Sequence, residues 1–153
     1  MKIRMDVDGT RITATLDDNA TAKDFASLLP LTLSLDDYNG TEKISDLPKK
    51  LTTRGAADGV EPAAGDIAYY APWGNLAIFY KDFEYSRGLV KLGAIESGAR
   101  AFERPGSLRV TITIGRSAIK VQPGLSAGSG VPARDQALVA KAAAFSNRSG
   151  FAR

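Results

Sequence analysis

Hydrophobic and polar residues alternate along several short stretches of this chain, which is the pattern of a strand with one buried face. The clearest stretches are residues 3–7, 12–16, 31–35 and 108–114. The pair Asp8-Gly9 separates the first two. An Asp-Gly pair between alternating stretches favours a two-residue hairpin turn, because that turn needs positive φ at both central positions. The chain is therefore predicted to begin with a β-hairpin.

The middle of the chain predicts further strands. Residues 67–70 and 76–80 are apolar and aromatic, and the turn-forming segment 71–75 joins them, so they are predicted to form a central strand pair. Residues 89–95 predict one more strand. Residues 42–47 fit either a short strand or one helical turn. Residues 54–65 are rich in Gly, Ala and Pro, which favours a long surface loop.

Helical signals are few and short. Thr21 with Asp24 three residues later is typical of a helix start, and the apolar spacing that follows places Phe25 on the core side until Pro30 ends the pattern. Residues 98–103 predict at most one more short helix. Many short strands with one or two small helices predict a mainly-β fold closed into a barrel, since closure removes exposed strand edges.

The composition changes after Ile114. Residues 116–153 are rich in Gly, Ser and Ala and carry six basic residues against one acidic residue. Their net charge is therefore +5, and that of residues 1–115 is −2, because the whole chain has a net charge of +3. We predict a barrel domain over residues 1–115 and a basic, flexible, largely disordered tail over 116–153, with at most a marginal helix over 133–145. The charge of residues 1–115 does not favour nucleic acid as a partner.

The chain contains no cysteine and no histidine. Disulfides and thiolate metal sites are therefore impossible, and the commonest general base and the commonest transition-metal ligand are missing. The charged start of the sequence has no apolar segment typical of a signal peptide, and no window is long and apolar enough to span a membrane. The expectation is a soluble, cytoplasmic protein without a metal or another cofactor.

Two segments resemble bacterial cyclophilin-like proteins, which are small barrels related in fold to the peptidyl-prolyl isomerases. These segments are GDIAYYAPWGNLAIFY at residues 65–80 and GLVKLGAIESG at residues 88–98. The resemblance extends over about residues 1–114. It implies a closed cyclophilin-like β-barrel, but a shared fold does not by itself imply a shared chemistry.

The isomerase site that the resemblance would imply is mostly missing. The isomerases have a Phe-His-Arg triplet, a Gln-Gly-Gly segment and a pocket histidine, and none of them occurs here. Arg54 matches the catalytic arginine by chain order only, since Thr53 and Gly55 beside it do not fit the pattern. The sequence therefore favours a non-catalytic binding barrel for a small molecule or a peptide. The alternatives are a divergent prolyl isomerase and an interaction module for a flavodoxin-like redox partner, to which relatives of this fold are sometimes joined.

A concentration of aromatic residues marks the candidate binding surface. The functional interpretation is an aromatic-walled pocket with one polar anchor, and the alternative is an ordinary barrel core. The candidate residues are Tyr70, Trp73, Asn75, Phe79, Phe83 and Tyr85. The adjacent carboxylates at positions 17–18 and 36–37 are not expected to form an acid–base pair or a metal site, because neighbouring residues of a strand point to opposite sides.

Overall fold

A computed structural model describes residues 1–115 of the chain, and the predictions for residues 116–153 lie outside the described residues. The described part holds ten strands, one α-helix and one 3₁₀ helix. In chain order they are β1 (Lys2–Val7), β2 (Thr10–Leu16), α1 (Ala20–Ala26), β3 (Leu31–Tyr38), β4 (Glu42–Asp46), β5 (Gly59–Val60), β6 (Asp66–Tyr70), β7 (Asn75–Phe79), β8 (Ser86–Arg87), β9 (Leu89–Ser97), the 3₁₀ helix (Ala99–Glu103) and β10 (Leu108–Ile114).

Eight of these strands close into one barrel in the order β1-β10-β3-β4-β7-β6-β9-β2. The pairs of neighbouring strands are antiparallel. The two short strands β5 and β8 form a separate ribbon outside the barrel. The predicted mainly-β closed barrel is thus confirmed.

The predicted N-terminal hairpin is also confirmed. β1 and β2 are joined by a two-residue turn in which Asp8 has φ 48° and Gly9 has φ 88°. A second turn of this kind, with Asn39 at φ 58° and Gly40 at φ 66°, leads from β3 into β4. This turn reverses the chain, so most of the ambiguous segment 42–47 forms the strand β4 rather than a helical turn, and residues 42–44 of that strand pair with β3.

The helix α1 begins earlier than the sequence predicted. Asn19 is its N-cap, because the side chain of Asn19 accepts a hydrogen bond from the backbone N–H of Ala22 at 2.8 Å. Thr21 lies inside the helix, and its hydroxyl donates to the carbonyl oxygen of Thr52 at 2.7 Å. The prediction of a start at Thr21 was wrong because the Thr21 and Asp24 side chains both bind the segment around Thr52, not the helix terminus.

Apolar side chains fill the barrel interior, and two of them come from helices outside the sheet. Phe25 of α1 and Phe102 of the 3₁₀ helix are both fully buried in this core. Because each aromatic ring comes from an element outside the sheet, the core continues beyond the strands at each of these points. The other buried residues of this core are Ile3, Met5, Val7, Ile12, Ala14, Leu16, Ala22, Leu31, Leu33, Leu35, Leu47, Leu51, Ile67, Tyr69, Leu76, Ile78, Val90, Leu92, Leu108, Val110 and Ile112.

A buried lysine ties the 104–107 segment to the barrel. The side chain of Lys43 in β4 is fully buried, and its ammonium donates to the carbonyl oxygens of Arg104 and Gly106 at 2.6 Å each. The same ammonium lies 3.6 Å from a carboxylate oxygen of Asp37. A buried cation is tolerated only when its donors are satisfied, and here three acceptors surround it.

We expect Lys43→Met to destabilise the barrel. The substitution keeps the length of the side chain but removes the donor, so the free energy of unfolding should fall by about 1.5–3 kcal/mol. Lys23→Met is the matched control, since Lys23 forms only an exposed ion pair with Asp18 at 3.2 Å and should cost less than about 1 kcal/mol. Urea unfolding of both variants measures the difference. Equal effects would show that Lys43 does not hold the 104–107 segment.

Candidate functional site

The barrel wall formed by β4, β7 and β6 is buried on its outer side as well as its inner side. Alternate residues of a strand point to opposite faces, so each of these strands also carries an outward-facing set. This outer apolar cluster is built on Ile44, Ala68, Tyr70, Ala77, Phe79 and Leu89, with Tyr38, Val60, Trp73 and Phe83 packed against it. The wall residues of the cluster are almost fully shielded from solvent.

The β5–β8 ribbon and the segments beside it cover part of this outer face. The backbone N–H of Phe83 donates to the carbonyl oxygen of Pro62 at 3.1 Å, and that of Gly88 donates to Asp58 at 2.8 Å. The side chain of Asp82 accepts from the backbone N–H of Ala64 at 2.9 Å. The segment 54–65, which was predicted to be a surface loop, therefore contains the short strand β5. The sequence did not indicate this strand, because two residues are too few to show an alternating pattern.

Three aromatic rings meet at one end of the cluster. The ring of Trp73 packs edge-on against Tyr38, with centroids 5.5 Å apart and an interplanar angle of 87°, and against Tyr70 at 5.3 Å and 82°. Such perpendicular arrangements are favourable for aromatic pairs. We call Tyr38, Tyr70 and Trp73 the aromatic corner. Trp73 comes from the β6–β7 turn and remains partly exposed, whereas Tyr70 is buried.

The other predicted aromatic residues divide into two groups. Phe79 is fully buried, and its ring stacks on Phe83 with centroids 6.5 Å apart. Tyr85 is 56% exposed and lies beside the ribbon, outside the outer apolar cluster. The structure therefore brings Tyr70, Trp73, Phe79 and Phe83 together, as the aromatic concentration indicated, and leaves Tyr85 apart.

Asn75 supplies a polar group at the edge of the aromatic corner. It is fully buried at the start of β7, directly between Asp46 of β4 and Tyr70 of β6 in the strand register. Its amide nitrogen donates to the carbonyl oxygen of Leu76 at 3.0 Å. Its side-chain oxygen accepts no hydrogen bond from the described residues. A buried acceptor left in this state is unusual in proteins.

Sequence reasoning missed the contribution of β3 and β4 to this surface. Tyr38 completes the aromatic corner, and Glu42, Ile44 and Asp46 lie on the same outer face of the sheet. The alternation of residues 42, 44 and 46 was the available signal. It could not be used because the secondary structure of this segment was ambiguous before its pairing was known.

The structure places Arg54 in an exposed turn after β4. Its backbone N–H donates to the hydroxyl of Thr52 at 3.2 Å, and the backbone N–H of Thr52 donates to Asp24 of α1 at 2.8 Å. The pKa of Asp24 lies below its ordinary value, because its carboxylate accepts that backbone hydrogen bond and a second hydrogen bond from the side-chain ammonium of Lys49. The Arg54 segment is thus held to α1.

A surface cleft of about 360 Å³ lies beside α1. It is lined by Met1, Leu16, Asp17, Asp18, Ala22, Lys23 and Ala26, and by none of the predicted binding residues. Asp18 is exposed and forms an ion pair with Lys23 at 3.2 Å. Among residues 1–115, no group of three carboxylate, cysteine or histidine side chains is arranged to hold a metal ion.

A second polar group lies at the end of β7. The hydroxyl of Tyr80 donates to Asp37 at 2.6 Å, and Asp37 also faces the ammonium of Lys43. Burial is the largest cause that raises the pKa of Tyr80 to about 12, and the hydrogen bond to Asp37 is the second cause. The neighbouring Asp36 points the other way and accepts from the hydroxyl of Ser107 at 2.5 Å. Positions 36 and 37 therefore diverge, as the alternation of a strand predicts.

The chain matches the sequence profile of the cyclophilin-like family over residues 5–113. Its fold is similar to the solution structure of a hypothetical protein from Archaeoglobus fulgidus, with a TM-score of 0.53 and 16% sequence identity. That similarity covers 75% of this chain and 95% of the archaeal one, and at this identity it concerns the fold alone. No curated protein matches the chain in sequence. No helix within residues 1–115 is long and apolar enough to cross a membrane.

We expect the aromatic residues to differ sharply in their effect on stability. Phe79→Ala should lower the free energy of unfolding by about 3–5 kcal/mol, because it leaves a cavity in a fully buried cluster. Trp73→Ala removes a partly exposed ring and should cost about 1–2 kcal/mol, mainly its two ring contacts. Tyr85→Ala is the control and should stay within about 0.5 kcal/mol. Chemical denaturation measures all three. A Trp73→Ala loss as large as that of Phe79→Ala would identify Trp73 as core.

We expect Tyr80 to make the folded state sensitive to alkaline pH. Its pKa of about 12 in the folded chain is above the ordinary value of 10. The folded state holds this proton more tightly than the unfolded state does, so the stabilisation is complete below pH 10 and is lost as the pH rises from 10 to 12. Tyr80→Phe should remove that component of the pH dependence. Thermal melts between pH 8 and 12 test it, and identical slopes for both proteins would contradict the assignment.

Proposed function

Since this chain belongs to the cyclophilin-like family, we propose that its barrel is a non-catalytic binding module whose ligand contacts the aromatic corner. The ligand is a small molecule or a peptide with an apolar part. The observation that carries the proposal is the position of Trp73. A tight turn holds this large ring partly exposed, where it is not needed to fill the barrel interior.

The aromatic corner is suited to binding because its rings are fixed before a ligand arrives. The ring of Trp73 is packed against two tyrosine rings, each nearly perpendicular to it. The backbone N–H of Trp73 also donates to the carbonyl oxygen of Tyr70 at 3.2 Å. A ring that is already ordered loses little conformational entropy when it contacts a ligand. Tryptophan and tyrosine are also the residues that most often dominate binding energy in interfaces.

The floor under this corner is rigid. Ile44 and Ala77 pair directly across β4 and β7, and Ala77 pairs with Ala68 across β7 and β6. Each of these strands is hydrogen-bonded along both edges in the closed barrel. A site supported by paired strands keeps its geometry better than a site on loops alone. The two alanines are small and almost completely buried, so they leave room for the large rings that pack in the same cluster.

No observation on the described residues favours catalysis. Prolyl isomerisation is helped by a positioned donor aimed at the developing charge, a contribution of roughly 3–4 kcal/mol to the barrier. Arg54 lies in an exposed turn beside α1, and the chain has no histidine that could assist it. Neither the divergent isomerase nor the module for a redox partner gains a specific supporting observation.

Because Trp73 is the single tryptophan of the chain, its fluorescence reports directly on the aromatic corner. We expect a panel of aromatic amides and a tetrapeptide with a central Ala-Pro bond to include compounds that change this emission in a saturable way. Tyr70→Ala or Tyr38→Ala should weaken such binding by about tenfold, the usual effect of removing a dominant contact. Tyr85→Ala is the matched control and should leave the Kd unchanged.

The same tetrapeptide separates binding from catalysis. A protease-coupled assay should show no acceleration of its cis–trans isomerisation. A rate comparable to that of ordinary cyclophilins, abolished by Arg54→Ala, would replace our proposal with the divergent isomerase. Saturable binding that is lost in Tyr85→Ala and kept in Tyr70→Ala would place the site on the β5–β8 ribbon.

A further inference from the structure

The cleft beside α1 lies at the end of the barrel where the described part of the chain stops. Its lining includes Met1, which precedes β1, and Leu16, which is the last residue of β2. The backbone N–H of Gly115 donates to the carbonyl oxygen of Lys2 at 2.8 Å, so the chain leaves β10 beside the start of β1. Residue 116 therefore follows a residue that is fixed next to this cleft.

Exposed apolar side chains concentrate at the same end of the barrel. Ile114 occupies an inward-facing position of β10, because Ile112 on the same face is fully buried, yet Ile114 is 39% exposed. Its register partner Ile3 lies two positions from Met1, which is 60% exposed. Among residues 1–115, the other large apolar side chain that is exposed is Tyr85. Two apolar side chains that the barrel leaves uncovered thus lie near the cleft.

The lining of the cleft combines apolar and acidic side chains. Lys23 forms an ion pair with Asp18 at 3.2 Å, and the amino group of Met1 donates to the carbonyl oxygen of Leu16 at 3.4 Å. Asp17 is exposed and takes part in none of the ion pairs of residues 1–115. The cleft therefore suits a segment that brings both apolar side chains and a positive charge.

The residues that follow Gly115 have this composition. Residues 116–121 read Arg-Ser-Ala-Ile-Lys-Val, with two basic residues and no acidic one. Ile119 and Val121 are the first large apolar side chains after β10, and they flank Lys120. A segment that is tethered beside its binding site is present there at a high effective concentration, so modest contacts are enough to hold it.

We propose that the cleft beside α1 is an intramolecular docking site for residues 116–121 of the same chain. In this arrangement Ile119 and Val121 cover the apolar lining of the cleft, and the basic residues lie near Asp17. The inference is independent of the aromatic corner. It makes the first residues after β10 part of the barrel domain, whereas composition alone assigned them to the tail.

A single engineered thiol in the cleft tests the docking. The chain has no cysteine, so Ala26→Cys in the full chain provides one thiol on the cleft wall. Its rate of reaction with the neutral reagent dithiodipyridine reports how often the cleft is open. Ile119→Ser combined with Val121→Ser should raise this rate at least about fivefold, because the apolar burial is lost. Leu138→Ser combined with Val139→Ser is the matched control and should leave the rate unchanged.

A second set of variants tests the charge. Arg116→Gln combined with Lys120→Gln should raise the reaction rate of the cleft thiol about twofold, the usual size of an exposed ion-pair effect. Asp17→Asn should act in the same direction. Arg148→Gln combined with Arg153→Gln removes the same charge from the end of the chain and should have no effect. Equal effects of the two double variants would overturn the assignment to residues 116–121.

Two further measurements make the rates comparable. Lys81→Cys places a reference thiol on an exposed position after β7, and its rate should not respond to the changes at Ile119 and Val121. Thermal melts confirm that each variant is folded. Lys23→Cys supplies a second thiol on the same cleft if Ala26→Cys does not fold.

Three results would overturn the inference. The first is an equal reaction rate with and without the changes at Ile119 and Val121. The second is a faster reaction only when Leu138 and Val139 are changed, which would make segment 133–145 the occupant. The third is protection that is lost on about hundredfold dilution, because a second copy would then fill the cleft. None of these results bears on the aromatic corner, which is tested separately by Trp73 emission.

Discussion

The closure of eight antiparallel strands is the constraint on which the rest of this structure depends. Every barrel strand is hydrogen-bonded on both sides, so the position of each residue in the register decides whether its side chain faces the interior or the outside. The interior takes apolar side chains from seven of the eight strands, whereas Ile44 of β4 belongs to the outer apolar cluster. Closure also satisfies the backbone groups that an open sheet would leave at its edges.

Closure also requires close contact where strands are forced together. Gly93 of β9 lies against β2, and a Cβ atom built at that position would be 2.2 Å from the carbonyl oxygen of Thr15. No other residue fits there without moving the backbone of β2. The register of the β2–β9 and β6–β9 pairs shifts on either side of this region. The glycine thus allows two irregular strand pairs to complete the barrel.

The candidate site lies on the part of the barrel wall that is buried on both its inner and its outer face. Over β4, β7 and β6 the alternate side chains find a second apolar environment, because the β5–β8 ribbon and the β6–β7 turn lie outside them. The site therefore has a floor made by the barrel and a rim made by turns, with Trp73 between the two. The polar groups of the site come from the strands, so its hydrogen-bond acceptors are held in fixed positions. The ring of Trp73 is partly exposed to solvent.

The sequence by itself determined most of the strands and the tight turns, because alternation and Asp-Gly or Asn-Gly pairs are local signals that act within a few residues, and the number of short strands indicated a closed barrel. It left β4 ambiguous and did not indicate β5 or β8. It also indicated the aromatic concentration at residues 70–85, and the family resemblance agreed with the predicted barrel. Only the tertiary structure decided which of those rings meet, that Tyr38 joins them, and that Asp46 lies beside Asn75. The contacts of Tyr38 with Trp73 and of Asp46 with Asn75 depend on strand pairing between residues about 30 or more positions apart, and no local pattern carries that register.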